Sequence, residues 1–398
     1  MIVIDGNKIG VVMDEHALPD WDPRSEAVLT DQTATYDDMR RRCPVANSRY
    51  GYTSLFRHED VVRVLEDHQT FSSAVSRFPS VPNGMDPPEH TKYRQLIEPY
   101  FDQAHMDAFA PSCRDTAARL VQALPTEGTI ELIAEFAQIF ALRIQCAWLG
   151  WPDDLHEPLR LWTLKNQAAT LARDEAAMGA VALEFDRYIK ELLAARRAAG
   201  NAAPNDVTTN LLRDQSLGRP LTDDEIVSIL RNWTVGELGT IAASIGIVVH
   251  YLAVHDDLQQ QLREQPVLLP AAIDEILRIE APLIMNRRVT TKQVTIRGRT
   301  LAAGTRLALL WASANRDEAV FGDPDEFRLD RDPSLNLLYG AGIHVCPGAP
   351  LARLELRVLM EELLARTRKI SVAPGSEPIR AYFPASGYAS LTVLVQKA

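Results

Sequence analysis

The stretch Tyr339-Gly340-Ala341-Gly342-Ile343-His344-Val345-Cys346-Pro347-Gly348 runs straight into a helical pattern that begins at Ala349. Two glycines, a cysteine and then Pro-Gly at a helix entrance would hold a thiolate on a tight loop beside the positive end of a helix dipole, a setting that lowers a thiol pKa. A buried structural cysteine fits the same spacing and is the commoner fate of an isolated cysteine. Glu275 and Arg278, at i and i+3, share a helix face and can form an ion pair, worth only about 0.2 to 0.5 kcal/mol at a surface. His90 and Arg94, four apart in MDPPEHTKYR, also share a helical face, where a solvated basic turn is the ordinary outcome.

A third set of residues lies in NWTVGELGT, from Asn232 to Thr240, inside a long helical pattern. Gly236 and Gly239 in a helix interior each cost about 1 kcal/mol relative to alanine, so close approach of a ligand or of another helix should offset them. Glu237 lies about 60° around the helix from Thr240, near the edge of the same face.

The loop GAGIHVCPG, with Tyr339 where phenylalanine is usual, resembles the haem-ligand loop of the cytochrome P450 family. The resemblance implies that Cys346 is the axial thiolate of a haem b (iron protoporphyrin IX), a ligand that pushes electron density onto iron and favours cleavage of the O–O bond of dioxygen. Other family motifs follow in order along nearly the whole chain. Glu275 and Arg278, with Arg331 in FRLDR, resemble the buried triad that supports the haem loop, a structural role in which losing one partner leaves a buried charge. His90, Arg94, Arg288 and His344 match positions that pair with haem propionates, where charge-assisted bonds are strong. Asn336 stands where many bacterial members have a histidine, which puts one propionate contact in question.

The resemblance also gives the long-helix residues roles. The family's oxygen-activation segment reads Gly-x-x-acid-Thr; here Thr240 is present but Gly239 holds the acid position. Beside Cys346, the two glycines would then form a groove for dioxygen over the haem, with Gly236 against the cofactor. Glu237, or a water chain it anchors, would replace the missing acid in proton delivery to Thr240; alternatively it salt-bridges a neighbouring helix, because buried carboxylates are usually paired. Asn232, one turn before Gly236, would face the substrate and bond a hydroxyl or carbonyl, or else bond a backbone carbonyl or a water. By family position an apolar pocket is expected from Val235, the loop near Val75, Phe78 and Val81, the segment Leu283, Ile284 and Met285, and the turn at Pro384 and Ala385.

The implied function is that of a soluble, bacterial-type haem-thiolate monooxygenase. It would insert one oxygen atom from O2 into a small apolar or aromatic substrate, by hydroxylation or oxidative O-dealkylation. Electrons from NAD(P)H would arrive through a ferredoxin or flavoprotein reductase, because the 398 residues contain neither a glycine-rich nucleotide fingerprint nor a ferredoxin cysteine cluster. The long-helix wording is also similar to members fused to a C-terminal reductase, so a free-standing protein and an excised haem domain both fit a chain ending at Ala398. A peroxide-driven peroxygenase would tolerate the altered acid position, although Thr240 argues against it. A non-catalytic haem carrier or sensor would have no obvious use for Thr240 and the paired glycines. By family position Lys92, Arg94, Arg353 and Arg357 would flank the thiolate side as a basic patch for an acidic electron donor.

The elements that must hold these residues are mostly helices. Apolar residues recur at helical intervals from about 104 to 200, as in Ile130, Ile133, Phe136 and Phe140, and AAGNAAPND from 198 to 206 reads as an inter-helix loop. Thr222 with Glu225 forms a capping box flanked by Leu221 and Ile226, and helical composition runs from there to about Leu252, roughly 45 Å. RRVTTKQVTIRGRTLAAGTRLALLW and the final SLTVLVQ read as strands, and Ala349 to about Lys369 as helix. The expected fold is mainly α with a small β region, one cytochrome P450 haem domain over 1–398, its long central helix crossing a buried haem. A net charge of −11 and 46% apolar residues fit a soluble globular chain and disfavour nucleic acid as a partner. Four irregularly placed cysteines argue against a disulfide scaffold, and the N-terminus lacks a continuous apolar segment, so a cytoplasmic protein with no membrane partner is expected.

Overall fold

The computed structural model describes residues 19–76 and 79–398. Phe78, expected in the substrate pocket, lies outside the described residues. The fold is mainly helical with small sheets, as the sequence pattern predicts.

The helix Asp223–Val254 is the axis of the body. Its start is fixed by the Thr222/Glu225 capping box, both halves of which form, and by burial of Leu221 and Ile226 on either side. Ile226, Ile229, Leu230, Ile241, Ile245, Val248 and Leu252 are buried along it, so the helix lacks a solvent face over much of its length. It is long and apolar enough to cross a membrane, but 67% of its most apolar window is buried inside the protein, which makes it a core helix. Against it pack the helices Gln138–Leu149, Leu269–Ile279 and Ala349–Arg366. The helix Gln103–Ala123 in turn lies along Ala349–Arg366. The helix Glu175–Ala199 ends at Gly200, whose φ of +53° opens the predicted loop.

A five-stranded sheet orders Val45–Asn47, Thr53–Leu55, Arg306–Leu310, Met285–Thr290 and Phe71–Ser72, and it delivers Arg288 and Met285 to the edge of the helical body. A three-stranded sheet places Thr392–Lys397 between Glu127–Glu131 and Thr367–Val372. The C-terminal helix therefore stops at Arg366 rather than continuing to Lys369. Residues 367–372 pair with the last strand, Val393 opposite Val372 and Val395 opposite Ile370, and that pairing prevails over local helical propensity.

Candidate active site

The cysteine loop is shaped by two glycines that no other residue could replace without movement. Gly340 has φ +76° and a Cβ there would sit 2.7 Å from the Trp311 ring; Gly342 has φ +68° and its Cβ would sit 2.3 Å from the Leu65 carbonyl oxygen. The loop is thereby seated on Trp311 and on the helix His58–Glu66. The Cys346 amide donates to the Tyr339 carbonyl at 2.8 Å, which closes the loop before the helix starts at Ala349. Burial pushes the Cys346 thiol up, while the Gly348 and Ala349 amides and the nearby Arg94 pull it down. The helix entrance alone thus does not make the free thiol acidic, contrary to the expectation from spacing; a coordinated metal ion would deprotonate it outright.

Cys346 is accessible to small molecules, and so are Val235, Gly236 and Gly239 on the long helix, Val235 by 48% although most of that helix is buried. Glu237, in the same stretch of helix, lies within electrostatic reach of Cys346. Cβ atoms built on Gly236 and Gly239 meet nothing within 4 Å. The glycines therefore do not accommodate a neighbouring helix; they border open space. The Thr240 hydroxyl donates to the Gly236 carbonyl one turn back, so its oxygen lone pairs remain available to a donor in that space.

Three basic side chains converge at the edge of the site. His90 and Arg288 are buried, the His90 and His344 rings lie 4.2 Å apart, and Nε2 of both histidines is buried without a hydrogen-bond partner. Arg288 donates to the Arg287 carbonyl at 2.7 Å. Among the described residues no carboxylate forms an ion pair with any of the three. Asp86 is within electrostatic reach, but its oxygens accept from the Ser72 hydroxyl and the Ser73 amide. Burial depresses the pKa of His344 to about 3, with His90 and Arg288 adding to the effect, and brings Arg288 down to about 10. A buried arginine beside two imidazole Nε2 atoms without partners, none paired with an acid among the described residues, forms a site for an anionic ligand. Together with an accessible cysteine, this donor set fits a haem: Cys346 could hold the iron, and His90, His344 and Arg288 the propionates.

The supporting triad forms as expected. Glu275 accepts from Arg278 Nε at 2.7 Å and Nη2 at 2.9 Å, and from Arg331 Nε at 2.9 Å. Arg278 also reaches the Asn315 and Pro324 carbonyls and lies over the Phe321 ring.

The other expected residues are placed unevenly. Arg94 pairs with Glu98 through Nε at 2.8 Å and lies within electrostatic reach of His90, His344 and Cys346. Asn336 has its side chain engaged by Asn315, the Leu338 amide and the Asp274 carbonyl, so it is not a further anion ligand. Asn232 donates to the Val81 carbonyl at 2.9 Å and accepts from Ser80, which ties the 79–82 segment to the long helix and leaves the substrate alternative without support. Ile284 is 0% exposed and packs in a separate cluster with Trp21, Phe56 and Ala308, whereas its neighbours Leu283 and Met285 are open or half-buried. Ala385 is exposed. Among the described residues Glu237 makes no salt bridge to a neighbouring helix; it lies within electrostatic reach of Glu355, a second carboxyl. The basic patch is largely neutralised, Arg353 by Asp274 and Arg357 by Glu361.

Sequence reasoning passed over Glu355, Trp311 and Phe101. Glu355 had a visible signal, because Leu351 and Leu359 at i−4 and i+4 place a carboxylate on an apolar helix face. The contacts of Trp311 with Gly340 and of Phe101 with Gly348 had none.

Comparison with known proteins agrees with this geometry. The family model for cytochrome P450 matches residues 156–385. The chain is 31% identical over 368 residues to the erythromycin C-12 hydroxylase of Saccharopolyspora erythraea, covering 88% of this chain and 92% of that protein. It is 28% identical over 386 residues to the linalool 8-monooxygenase of Pseudomonas putida, covering 90% and 94%. The solved structure of cytochrome P450 CYP109Q5 from Chondromyces apiculatus superposes with a TM-score of 0.85 at 29% identity, over 95% of this chain and 99% of that one. With its fold, its cysteine loop and its anion-binding cluster, the chain belongs to the cytochrome P450 family and is one of its monooxygenases.

Proposed function

We propose that residues 1–398 act as one haem domain. It would insert one oxygen atom from O2 into a small apolar or aromatic substrate, by hydroxylation or oxidative O-dealkylation. Electrons would come from NAD(P)H through a ferredoxin or flavoprotein reductase, in the cytoplasm. The observation that carries this reading is the trio His90, His344 and Arg288, unpaired with any acid among the described residues and next to Cys346.

When bound, the haem supplies the iron that activates dioxygen. Cys346 Sγ would ligate the iron, with the Gly348 and Ala349 amides stabilising the thiolate. Arg288 would neutralise propionate charge, and Nε2 of His90 and His344 would donate hydrogen bonds to the propionates. Gly236 and Gly239 border open space with room for a diatomic molecule, where the Thr240 oxygen would accept a hydrogen bond from a water and hold it in place. Glu237 supplies the proton that Gly239 cannot. Val235, Leu283, Met285 and Ala385, exposed or half-buried, would line an apolar side that displaces water from the substrate.

The test is spectroscopic first. Reduced protein with carbon monoxide should show the red-shifted band of thiolate ligation, and Cys346→Ala should abolish it. Candidate substrates should then displace the iron-bound water and shift the haem absorption band. Product with reductase, ferredoxin and nicotinamide supports the proposal; product with peroxide alone selects a peroxygenase. Normal haem binding with no product under either condition selects a carrier.

A further inference from the structure

A cavity of about 300 Å³ lies between the helices Glu26–Thr30 and Gln32–Arg42, the end of the helix Leu269–Ile279 and the turn 381–387. That volume is at the low end for a small-molecule pocket. None of the residues assigned to iron, propionates or dioxygen borders it. On its lining Tyr36, Ile247, Ile279 and Arg316 are buried whereas Leu29 and Tyr382 are exposed, which gives a largely apolar interior and a mouth to solvent. Two donors of that interior are left over. The Tyr36 hydroxyl is buried with no hydrogen-bond partner among the described residues; Gln32, one turn earlier, is near it but completes no hydrogen bond. Arg316 gives Nη2 to Asp37 at 3.1 Å and to Asp325 at 2.6 Å, and its Nε is buried without a partner. Buried donors without acceptors are costly and rare, so these two call for an acceptor from outside the chain. Asp37 and Asp325 already balance the Arg316 charge, so the acceptor that suits is a neutral carbonyl oxygen and not a carboxylate.

The turn 381–387 forms one wall of the cavity, through Phe383, Ser386 and Gly387. It is closed on itself by the Ala381 amide on the Gly387 carbonyl at 3.0 Å and the Ala385 amide on the Tyr382 carbonyl at 2.9 Å. The Ser386 hydroxyl donates to the Ala281 carbonyl, and Arg380 pairs with Glu280. Gly387 packs on the long helix, where its Cβ would sit 3.3 Å from the Ala243 carbonyl oxygen, three residues past Thr240. We propose that the cavity is a second small-molecule site, taking an apolar ligand whose neutral carbonyl oxygen accepts from the Tyr36 hydroxyl and Arg316 Nε, and that this ligand braces the turn against the long helix. Resting on the apolar substrate side proposed for Ala385 of the same turn, its occupant tightens binding beside the haem, and a haem-side ligand tightens the occupant by the same factor.

The test uses the holoenzyme, with cyclohexanone as the cavity probe and phenylimidazole, an azole that ligates haem iron, as the haem-side probe. With phenylimidazole saturating, the haem side is closed to the ketone, and calorimetric titration with cyclohexanone should still show saturable binding. Tyr36→Phe should weaken that binding about fivefold, the value of one hydrogen bond, and Leu29→Trp, which fills the mouth, should remove it. Tyr36→Phe should melt no lower than wild type, because its hydroxyl bonds nothing in the protein. Cyclohexanecarboxylate should not compete. Absence of saturable binding, binding unchanged in both variants, equal binding of the carboxylate, or a lower melting point in Tyr36→Phe overturns the site. The coupling has its own readout: cyclohexanone should lower the phenylimidazole midpoint, followed by haem absorbance, about fivefold in wild type and not in Leu29→Trp. A midpoint unchanged despite saturable ketone binding overturns the coupling alone. If phenylimidazole shifts no haem band, the haem reading itself fails, and the cyclohexanone titrations of wild type and the two variants still decide the site.

Discussion

Gly342 shows how much of the site depends on single atoms. A methyl group there would sit 2.3 Å from the Leu65 carbonyl oxygen, on a backbone with φ +68°. Left-handed backbone costs a non-glycine residue about 1–2 kcal/mol, and the clash adds about as much again. Gly342→Ala should therefore lower stability by about 2–4 kcal/mol and reduce the haem content of purified protein, read by thermal unfolding and haem absorbance. Unchanged haem content would mean that the loop can shift without losing its ligand geometry. Residue types such as Cys346, His90, Arg288 and His344 were legible because their chemistry is local and their motifs are specific. Ile284 was misplaced, and the choice between the two alternatives for Asn232 stayed open, for a common reason: each has a polar or apolar partner within reach, and its position along the chain does not say what stands across from it. For Asn232 the alternative was the Val81 carbonyl, 151 residues away in sequence.

The long helix was the most legible element, since its capping box and its apolar run are both sequence patterns. What the pattern could not supply is the tertiary addition to the cap. Glu225 bonds the Thr222 amide at 2.7 Å as the box requires, but it also accepts from Arg219 at 2.6 and 2.8 Å and from the Tyr93 hydroxyl. Arg219, ahead of Tyr93 and Thr222 in effect, holds the Glu225 carboxyl down at about 2. A carboxyl depressed in the folded state contributes stability above its ordinary pKa and loses it as pH falls toward the folded value. The contribution of Glu225 should thus be complete at neutral pH and disappear between about pH 4.5 and about pH 2. Denaturant unfolding of wild type and Glu225→Gln across that interval should show a stability gap at neutral pH that closes on acidification, by at most about 1.4 kcal/mol per pH unit. A constant gap would mean that shape, not charge, makes the cap.

Across the whole molecule, acids and bases are distributed by function rather than by net charge. Most surface arginines are paired, whereas His90, His344 and Arg288 are gathered without acids where an anionic group must be received. Glu275 is the opposite case, a buried acid with two arginines, Arg278 and Arg331. Its spacing with Arg278 was visible in sequence, but at surface value that pair would matter little. Its weight comes from what the fold adds, namely Arg331 from a distant segment and the Asn315 and Pro324 carbonyls around Arg278. Glu275→Gln leaves two buried arginines short of charge and should cost about 3–5 kcal/mol. Cys346→Ala removes a side chain that faces open space, so it should abolish the thiolate band with little loss of stability in the haem-free protein. Measuring thermal unfolding of both variants without haem separates the two roles. A haem-free Glu275→Gln protein as stable as wild type would show that the triad acts only through the cofactor loop and not through the framework that holds the Leu269–Ile279 helix to residues 321–331.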